Sequence, residues 1–519
     1  MVTNYMEAQK VMIQTLSEMI KNHPDNALAI GAQASEWMSY KSLRDLSDEV
    51  GHDLHNMGLG HGDRVAIVLP NGPGMAAAFV TLAQWLVAVP LNPSPKKDEF
   101  SFYISDLNAK AIVLLEDYNG PALEAARALG TAIVWLRPDK KCAGSFSLHC
   151  GKKISETANT RAPNAQDIAL ILHTSGTTSR PKIVPLLHRN LTASANHIST
   201  FLALSPQDRC LNVMPLFHIH GLVAAVSASL YAGAQIVCTD GFDALKFFSL
   251  MSKHKPTWYT AVPTMHQAIL SRAARNQDVV DTVALRFVRS SSASLPPKVF
   301  ASLAETFKAP VIEGYGMTEA AHQMASNPLP PLAQKPGCVG IAAGPMVKIA
   351  DEVGNYLIQG LGEIVISGPN VTPGYENNPE ANAKNFFEAN GEKWFRTGDQ
   401  GEFDEDGYLW LTGRLKEIIN RGGEKISPRE VDEILMDHPA VSQAVTFALP
   451  HDKLGEDVAA AVVLNDGSDA DEGALKEFAR ERLSSFKVPR KILILKDIPK
   501  GATGKLQRIG LCEKLGLGG

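Results

Sequence analysis

Cysteine is scarce in this chain and carries no pattern. Six residues are spread over 519 positions: Cys142, Cys150, Cys210, Cys238, Cys338 and Cys512. None falls in C-x-x-C spacing, which argues against a zinc ribbon, a dithiol redox motif or a disulfide framework. An excess of charge of either sign is missing too, since 50 Lys+Arg against 55 Asp+Glu leave a net −5 with no long run of one sign. A phosphate-tracking surface needs a concentrated basic patch, so nucleic acid is not expected as a partner. Long apolar runs are also lacking. Of the two candidates, 75–89 is short for a span and 222–238 is broken by Ser227, Ser229 and the Ala232-Gly233 turn. Both read as core helices running into strands, and no membrane span is expected. No secretory signal opens the chain and its end, Leu-Gly-Leu-Gly-Gly, is no peroxisomal address, so the expected location is cytoplasmic. Finally, G-x-x-x-x-G-K-[ST] does not occur, and any nucleotide site must be built without that P-loop.

What is present is the composition of a globular protein, 45% hydrophobic and 20% charged, with a length that suggests two to four lobes. Helix-period and short apolar segments alternate from residue 64 to about 313. The helices are expected near 74–86, 98–107, 121–129, 190–203, 219–231, 242–253, 263–275 and 296–307, and the strands between them. Repeated β-α units of this kind imply mostly parallel sheets with helices on both faces, and the number of strands implies two packed sheets. Residues 137–165 read as an irregular connection. From about 340 to 413 short strands with turn signals describe a small β-rich lobe, with 392–396, 401–404 and 407–411 as separate strands. After Gly413-Arg414 a unit of helices 427–437 and 470–485 and strands 441–449, 456–464 and 490–495 could hold a core of its own. The expected fold class is therefore α/β, with a large N-terminal domain over 1–413 and a small α+β C-terminal domain over 414–519.

The densest phosphate chemistry lies at 173–184. Thr174, Ser175, Thr177, Thr178 and Ser179 carry hydroxyls around Gly176, and Lys182 follows. The run comes directly after the buried-strand pattern 168–172, where ligands of open α/β sheets gather. Many neutral donors with one mobile point charge suit a polyphosphate. Further on, His218 stands between a strand end and a helix start. Glu313-Gly314-Tyr315-Gly316-Met317-Thr318-Glu319 sets an aromatic ring between two glycines ahead of a hydroxyl and a carboxylate. Asp399 could take a ribose diol. Lys505 sits on a flexible Gly501-Ala502-Thr503-Gly504 loop. Each of these taken singly is also an ordinary turn or surface residue.

Together they resemble the adenylate-forming superfamily of acyl-CoA synthetases, luciferases and adenylation domains. Thr-Ser-Gly-Thr-Thr-x-x-Pro-Lys, Tyr-Gly-x-Thr-Glu, Thr-Gly-Asp, Gly-Arg-x-Lys and the terminal Gly-Lys stand in the family's order. The resemblance implies an ATP-dependent, AMP-forming acid–thiol ligase. A carboxylate attacks the α-phosphate of ATP, a mobile C-terminal domain turns, and the thiol of coenzyme A takes the acyl group. It further implies roles by position. Thr174, Ser175, Gly176, Thr177, Thr178 and Lys182 hold the β- and γ-phosphates. Ser292, Glu313, Gly314, Tyr315 and Gly316 line the adenosine end, Tyr315 stacking on adenine. Thr318 touches the α-phosphate, Glu319 binds Mg²⁺, and Asp399 with Arg414 takes the ribose. Lys505 bridges carboxylate and α-phosphate, Lys416 is the hinge, and Gly422-Gly423 leave room for the pantetheine arm of coenzyme A. The chain departs from the family's pattern at Ser179 and Ile183, where a glycine is usual.

The closest resemblance is to the oxalyl-CoA synthetase-like branch. It rests on Pro-Leu-Phe-His-Ile-His-Gly-Leu from Pro215 and on Met-Thr-Glu-Ala-Ala-His-Gln-Met-Ala-Ser-Asn-Pro-Leu-Pro from Met317. His218, Ser291 and His322 would then form a small polar pocket for a second carboxylate, where a fatty acyl chain would want apolar walls. The partners implied are a small carboxylic acid, ATP and coenzyme A, with the protein a monomer or homodimer. A medium-chain or aromatic acyl-CoA ligase, a ligase loading a carrier protein, and a non-catalytic adenylate sensor remain as alternatives.

Overall fold

A computed structural model describes residues 13–32, 35–174, 181–351, 356–501 and 505–517. Two large sheets dominate it. The nine-stranded one runs in the order Ile341–Ala342, His322–Ser326, Val311–Met317, Phe287–Ser291, Trp258–Ala261, Arg209–Asn212, Gln235–Cys238, Leu28–Gly31, Met38–Ser39. Its six central strands are parallel, and antiparallel strands close both edges. The seven-stranded sheet contains Ala111–Leu115, Arg64–Val68, Val87–Pro90 and Ile168–Thr174 in parallel neighbourhood and ends on the antiparallel Lys182–Leu187. The expected pair of mostly parallel sheets is thus present. Their strands are short runs of Val, Ile, Leu and Ala buried on both faces, as a sheet covered by helices requires.

Four helices that cover the sheets begin where proline supplies the helical φ without needing a donor, at Pro73, Pro121, Pro263 and Pro297. Pro73–Leu82, rich in alanine, packs against His220–Ser227 in one continuous apolar core that reaches both sheets. That second segment corrects the expectation of an α-helix over 219–231: it is a π-helix, and only Ala228–Tyr231 is α-helical. Widening the turn directly after His218 and His220 re-aims this stretch beside the strand ends, a common use of π-helical turns.

Other expectations shift as well. Residues 28–31, read as part of a helical and turn region, add a parallel strand to the large sheet. The connection 137–165 contains the strand Phe146–His149. Segments 392–396 and 401–404 are one strand, Glu392–Phe403, bent by an irregularity near Gly401 and pairing with Leu409–Arg414. This strand belongs to a six-stranded antiparallel sheet. A five-stranded sheet follows, beginning with Ile419–Arg421, joined to the rest through the turn 415–417. Its helix Pro428–Asp437 packs its apolar side into a core shared with the large sheet.

Candidate functional site

The site lies where the C-terminal ends of the large sheet meet the hairpin of the smaller one. In the hairpin, Thr174 stands opposite Lys182. Ser175, Gly176, Thr177 and Thr178 lie outside the described residues. Ile183 faces His173 across the hairpin and is buried in the core of the seven-stranded sheet, which gives the branched side chain a packing role.

Lys182 reaches out from this strand so that its Nζ lies 4.1 Å from the centroid of the Tyr375 ring. The hydroxyl of Tyr375 donates to Oε1 of Glu319 at 2.8 Å. One tyrosine therefore braces both the lysine and the carboxylate, and the sequence reading missed it. Burial lowers the Lys182 amine from its ordinary value, with Glu319 pulling the other way. Burial likewise raises the Glu319 carboxyl, opposed by the Tyr375 hydroxyl and by Lys182. Thr318 opens the short turn Thr318–Ala320 that presents Glu319.

The strand Val311–Met317 supplies Glu313, Gly314, Tyr315 and Gly316. Tyr315 donates its hydroxyl to Asp399 Oδ2 at 2.6 Å, and Arg414 Nε lies 3.3 Å from Asp399 Oδ1. Residues expected at the adenosine end are thus gathered around one carboxylate. Glu313 accepts a hydrogen bond from the Leu295 amide at 2.9 Å and so fixes the turn that follows Ser292. Burial pushes its carboxyl up to about 7. Gly316 has a steric reason to be glycine, because a Cβ there would lie 1.7 Å from the His322 carbonyl oxygen.

Beside this end is a pocket of imidazoles. His322 Nε2 is 3.4 Å from Ser291 Oγ, which itself donates to the Gly314 carbonyl at 2.6 Å. His220 bonds Ser292 Oγ through Nδ1 at 2.9 Å and Thr260 Oγ1 through Nε2 at 2.6 Å. The rings of His220 and His322 are 5.2 Å apart. Burial holds His220 and His322 well below the usual histidine range, and burial with the Lys505 charge pulls His218 down to about 3. All three are neutral near pH 7. Ser292, Ala321 and His322 have φ of 74°, 47° and 95°. Such strain at non-glycine residues persists only where the surroundings over-determine it. Here Asn370 Nδ2 donates to the carbonyls of Ala320 and Gln323, each at 2.8 Å, and clamps the turn.

Lys505 comes to this place from the far end of the chain. Its amine is lowered to about 8, first by burial and then by Arg414, against the pull of Asp399. The same charge is felt by His218, His220 and His322. Gly422 and Gly423 are elsewhere, forming the two-residue turn between Ile419–Arg421 and Glu424–Ile426 with φ of 60° and 98°. A type I′ hairpin turn needs positive φ at both positions, which accounts for both glycines. Lys416 lies in the turn 415–417, where the Leu415 amide donates to the Gly398 carbonyl at 2.9 Å.

Comparison with known proteins identifies the family. The profile of the AMP-binding enzyme family matches residues 16–376, and that of the AMP-binding enzyme C-terminal domain matches 430–505. The chain is 44% identical over 491 residues to a probable CoA ligase, CCL9, of Humulus lupulus, covering 91% of this chain and 90% of that protein. It is 43% identical over 503 residues to the oxalate–CoA ligase of Arabidopsis thaliana, covering 95% and 96%. Among solved structures, ATP-bound MatB from Rhodopseudomonas palustris is similar with a TM-score of 0.85 at 29% identity, over 97% of this chain and 99% of that one. Apo MatB from the same organism is similar with a TM-score of 0.75 at 29% identity. The chain belongs to the AMP-binding enzyme family.

Proposed function

We propose that this chain is an ATP-dependent, AMP-forming acyl-CoA synthetase whose acid is oxalate. The observation that carries the choice of acid is the pocket of His218, His220 and His322 with Ser291 and Thr260. Its side chains are polar and, apart from the half-buried His218, fully buried, the opposite of what an acyl chain or an aromatic ring would need. The 43% identity to a plant oxalate–CoA ligase supports the same reading.

In the first step one oxalate oxygen attacks the α-phosphorus of ATP and pyrophosphate leaves. Tyr315, Asp399 and Arg414 hold adenine and ribose, and the Thr174–Lys182 end holds the departing phosphates. Charge spreads over phosphoryl oxygens during this displacement, so fixed donors and cations act by electrostatic stabilisation. Lys505 offsets the repulsion between the carboxylate and the triphosphate. Mg²⁺ prefers one or two carboxylates together with nucleotide phosphates. Glu319 would hold it, and its chemistry there would be to neutralise phosphate charge. Neutral imidazoles at His218 and His322, whose Nδ1 atoms have no partner among the described residues, can donate N–H bonds to oxalate without titrating near pH 7, while His220 is held by Ser292 and Thr260.

In the second step the unit 414–519 turns about Lys416, withdraws Lys505 and lets coenzyme A approach along the face that carries Gly422-Gly423. The thiol attacks the oxalyl carbonyl and AMP leaves. The protein is a monomer or homodimer on this reading, and the cytoplasm is the compartment we assign. No helix among the described residues is long and apolar enough to cross a membrane.

The test is pyrophosphate release over oxalate, malonate, benzoate and fatty acids, followed by AMP release with free coenzyme A. Oxalate should give the highest kcat/KM. Preference for benzoate or a fatty acid would sink the choice of acid, and AMP release with a holo-carrier protein but not with coenzyme A would sink the acceptor.

A further inference from the structure

One buried cation near the pocket, Arg289, has no carboxylate partner among the described residues. Arg289 lies on Phe287–Ser291, in register with Thr260 on one side and Ile312 on the other. It is wholly buried, and a Cβ on Gly314 would come within 3.1 Å of its Nη2, so the glycine leaves it room. Its one hydrogen bond runs from Nη2 to Gln323 Oε1 at 3.3 Å, while Nε and Nη1 have no partner among the described residues. Burial brings the guanidinium down to about 10, and the buried thiol of Cys210 is the sole group opposing that. Even so lowered, it stays charged at neutral pH.

An isolated buried guanidinium is costly, several kcal/mol even after relaxation, unless a partner anion joins it. Arg289 is felt by both His220 and His322, whose imidazoles burial keeps neutral. The wall of the pocket therefore has donors but no charge, and Arg289, in register with Thr260 of that wall, has no carboxylate partner among the described residues. A monocarboxylate would spend its single charge at Lys505 and leave Arg289 unmatched. A short dicarboxylate carries a second charge at the far end.

We propose that Arg289 is a specificity-determining, positioning residue: its unpaired guanidinium supplies the counter-charge for the second carboxylate of the acid, acting through the His220–Thr260 and His322–Ser291 pairs. The inference rests on the oxalate reading above. It separates the two ends of the substrate, with Lys505 serving the carboxylate that reacts and Arg289 the one that does not.

Oxamate has the same shape as oxalate with a neutral amide in place of the distal carboxylate, and it is the probe. In R289M, kcat/KM for pyrophosphate release with oxalate should fall about 100-fold, the usual scale for removing one partner of a buried charge pair, while oxamate should change by less than about threefold. R289K, which keeps the charge but loses the planar fork, should recover part of the oxalate activity. KM for ATP should stay constant in both. Equal losses on oxalate and oxamate would overturn the role of Arg289 and mark it as a structural residue. If R289M fails to fold, R289K decides, since a selective loss on oxalate supports the proposal and an equal loss on both acids refutes it. Wild-type enzyme that ignores oxalate would instead overturn the oxalate reading, an outcome visible before any variant is made.

Discussion

The Tyr315 hydroxyl and the Asp399 carboxylate, 84 residues apart in sequence, are joined by a hydrogen bond of 2.6 Å. The bond ties the large parallel sheet to the long strand of the β-rich lobe. It also fixes the ring that would stack on adenine relative to the acid that would hold the ribose. Arg414 on the other oxygen, 3.3 Å away, completes a carboxylate constrained from both sides.

Tyr315→Phe keeps the stacking ring and deletes the bond. A hydrogen bond to a charged group contributes about 1.5–3 kcal/mol, so KM for ATP should rise roughly tenfold or more. KM for the acid should stay near its original value. Initial-rate kinetics with each substrate varied would show it, and an unchanged KM for ATP would mean that Asp399 is positioned by Arg414 alone.

Lys505 predicts a pH dependence. Its amine is ordinarily charged up to about 10.5, and in this closed arrangement burial and Arg414 lower it to about 8. The ammonium that the proposed first step needs is therefore lost as pH rises through about 8, and kcat/KM for ATP should fall there. Bound triphosphate favours the charged form, so the alkaline limb of kcat should lie at higher pH. The conformational linkage has the opposite sense: between about 8 and 10.5 the docked lysine binds fewer protons than a freely solvated one, so docking is favoured as pH rises through that window. Lys505→Ala should abolish the alkaline limb and nearly all adenylate formation, yet leave thioester formation from supplied oxalyl-adenylate. Equal loss of both steps would remove the assigned role.

How much of this was legible beforehand follows from how each signal is written in the chain. Tyr315, Glu319, Asp399 and Lys505 stand in short motifs of unlike chemistry, and such strings are readable without a structure. The two sheets were readable for a similar reason, since Ile112-Val113-Leu114 or Ala169-Leu170-Ile171 suit little but a covered strand. Tyr375 and Arg289 were not. Tyr375 acts through a contact 56 residues away, and nothing around it in sequence differs from a core tyrosine. Arg289 interrupts an apolar strand, and what sets it apart is the absence of a carboxylate partner among the described residues, which only three dimensions can reveal. The π-helix at His220–Ser227 was hidden because every residue in it is buried, leaving no polar face by which to read a period. The strand Glu392–Phe403 was divided at Gly398, whose φ of 76° looks like a turn residue but is absorbed within the strand.

The bracing role of Tyr375 can be isolated by Tyr375→Phe. The ring under Lys182 is kept and the donor to Glu319 is lost. That donor opposes the burial that raises the Glu319 carboxyl, so without it the carboxyl rises further and is protonated at higher pH. The acid limb of the first step should move to higher pH, and the Mg²⁺ concentration for half-maximal rate should rise about tenfold at neutral pH, in line with a charged hydrogen bond. A Mg²⁺ titration at two pH values would read both effects. An unmoved acid limb would mean that Glu319 does not set it.

The last prediction concerns the joint at Lys416. The turn 415–417 follows the strand that ends at Arg414, and its flanks are pinned by the Leu415 amide on the Gly398 carbonyl and the Glu417 amide on the Arg414 carbonyl, at 2.9 and 2.7 Å. A rotation of the C-terminal unit must be absorbed by the backbone between these two bonds, and residue 416 is what lies there. Proline at 416 fixes its φ and restricts Leu415 before it. In the proposed mechanism the first step uses the arrangement described here, and Lys416→Pro should change it by less than about threefold. The second step requires a different arrangement and should slow by about tenfold or more, as hinge variants do. Single-turnover measurement of pyrophosphate release and of thioester formation separates the two. If both rates fall together, the pinned turn is a structural connector, and the rotation must be carried by a neighbouring peptide unit.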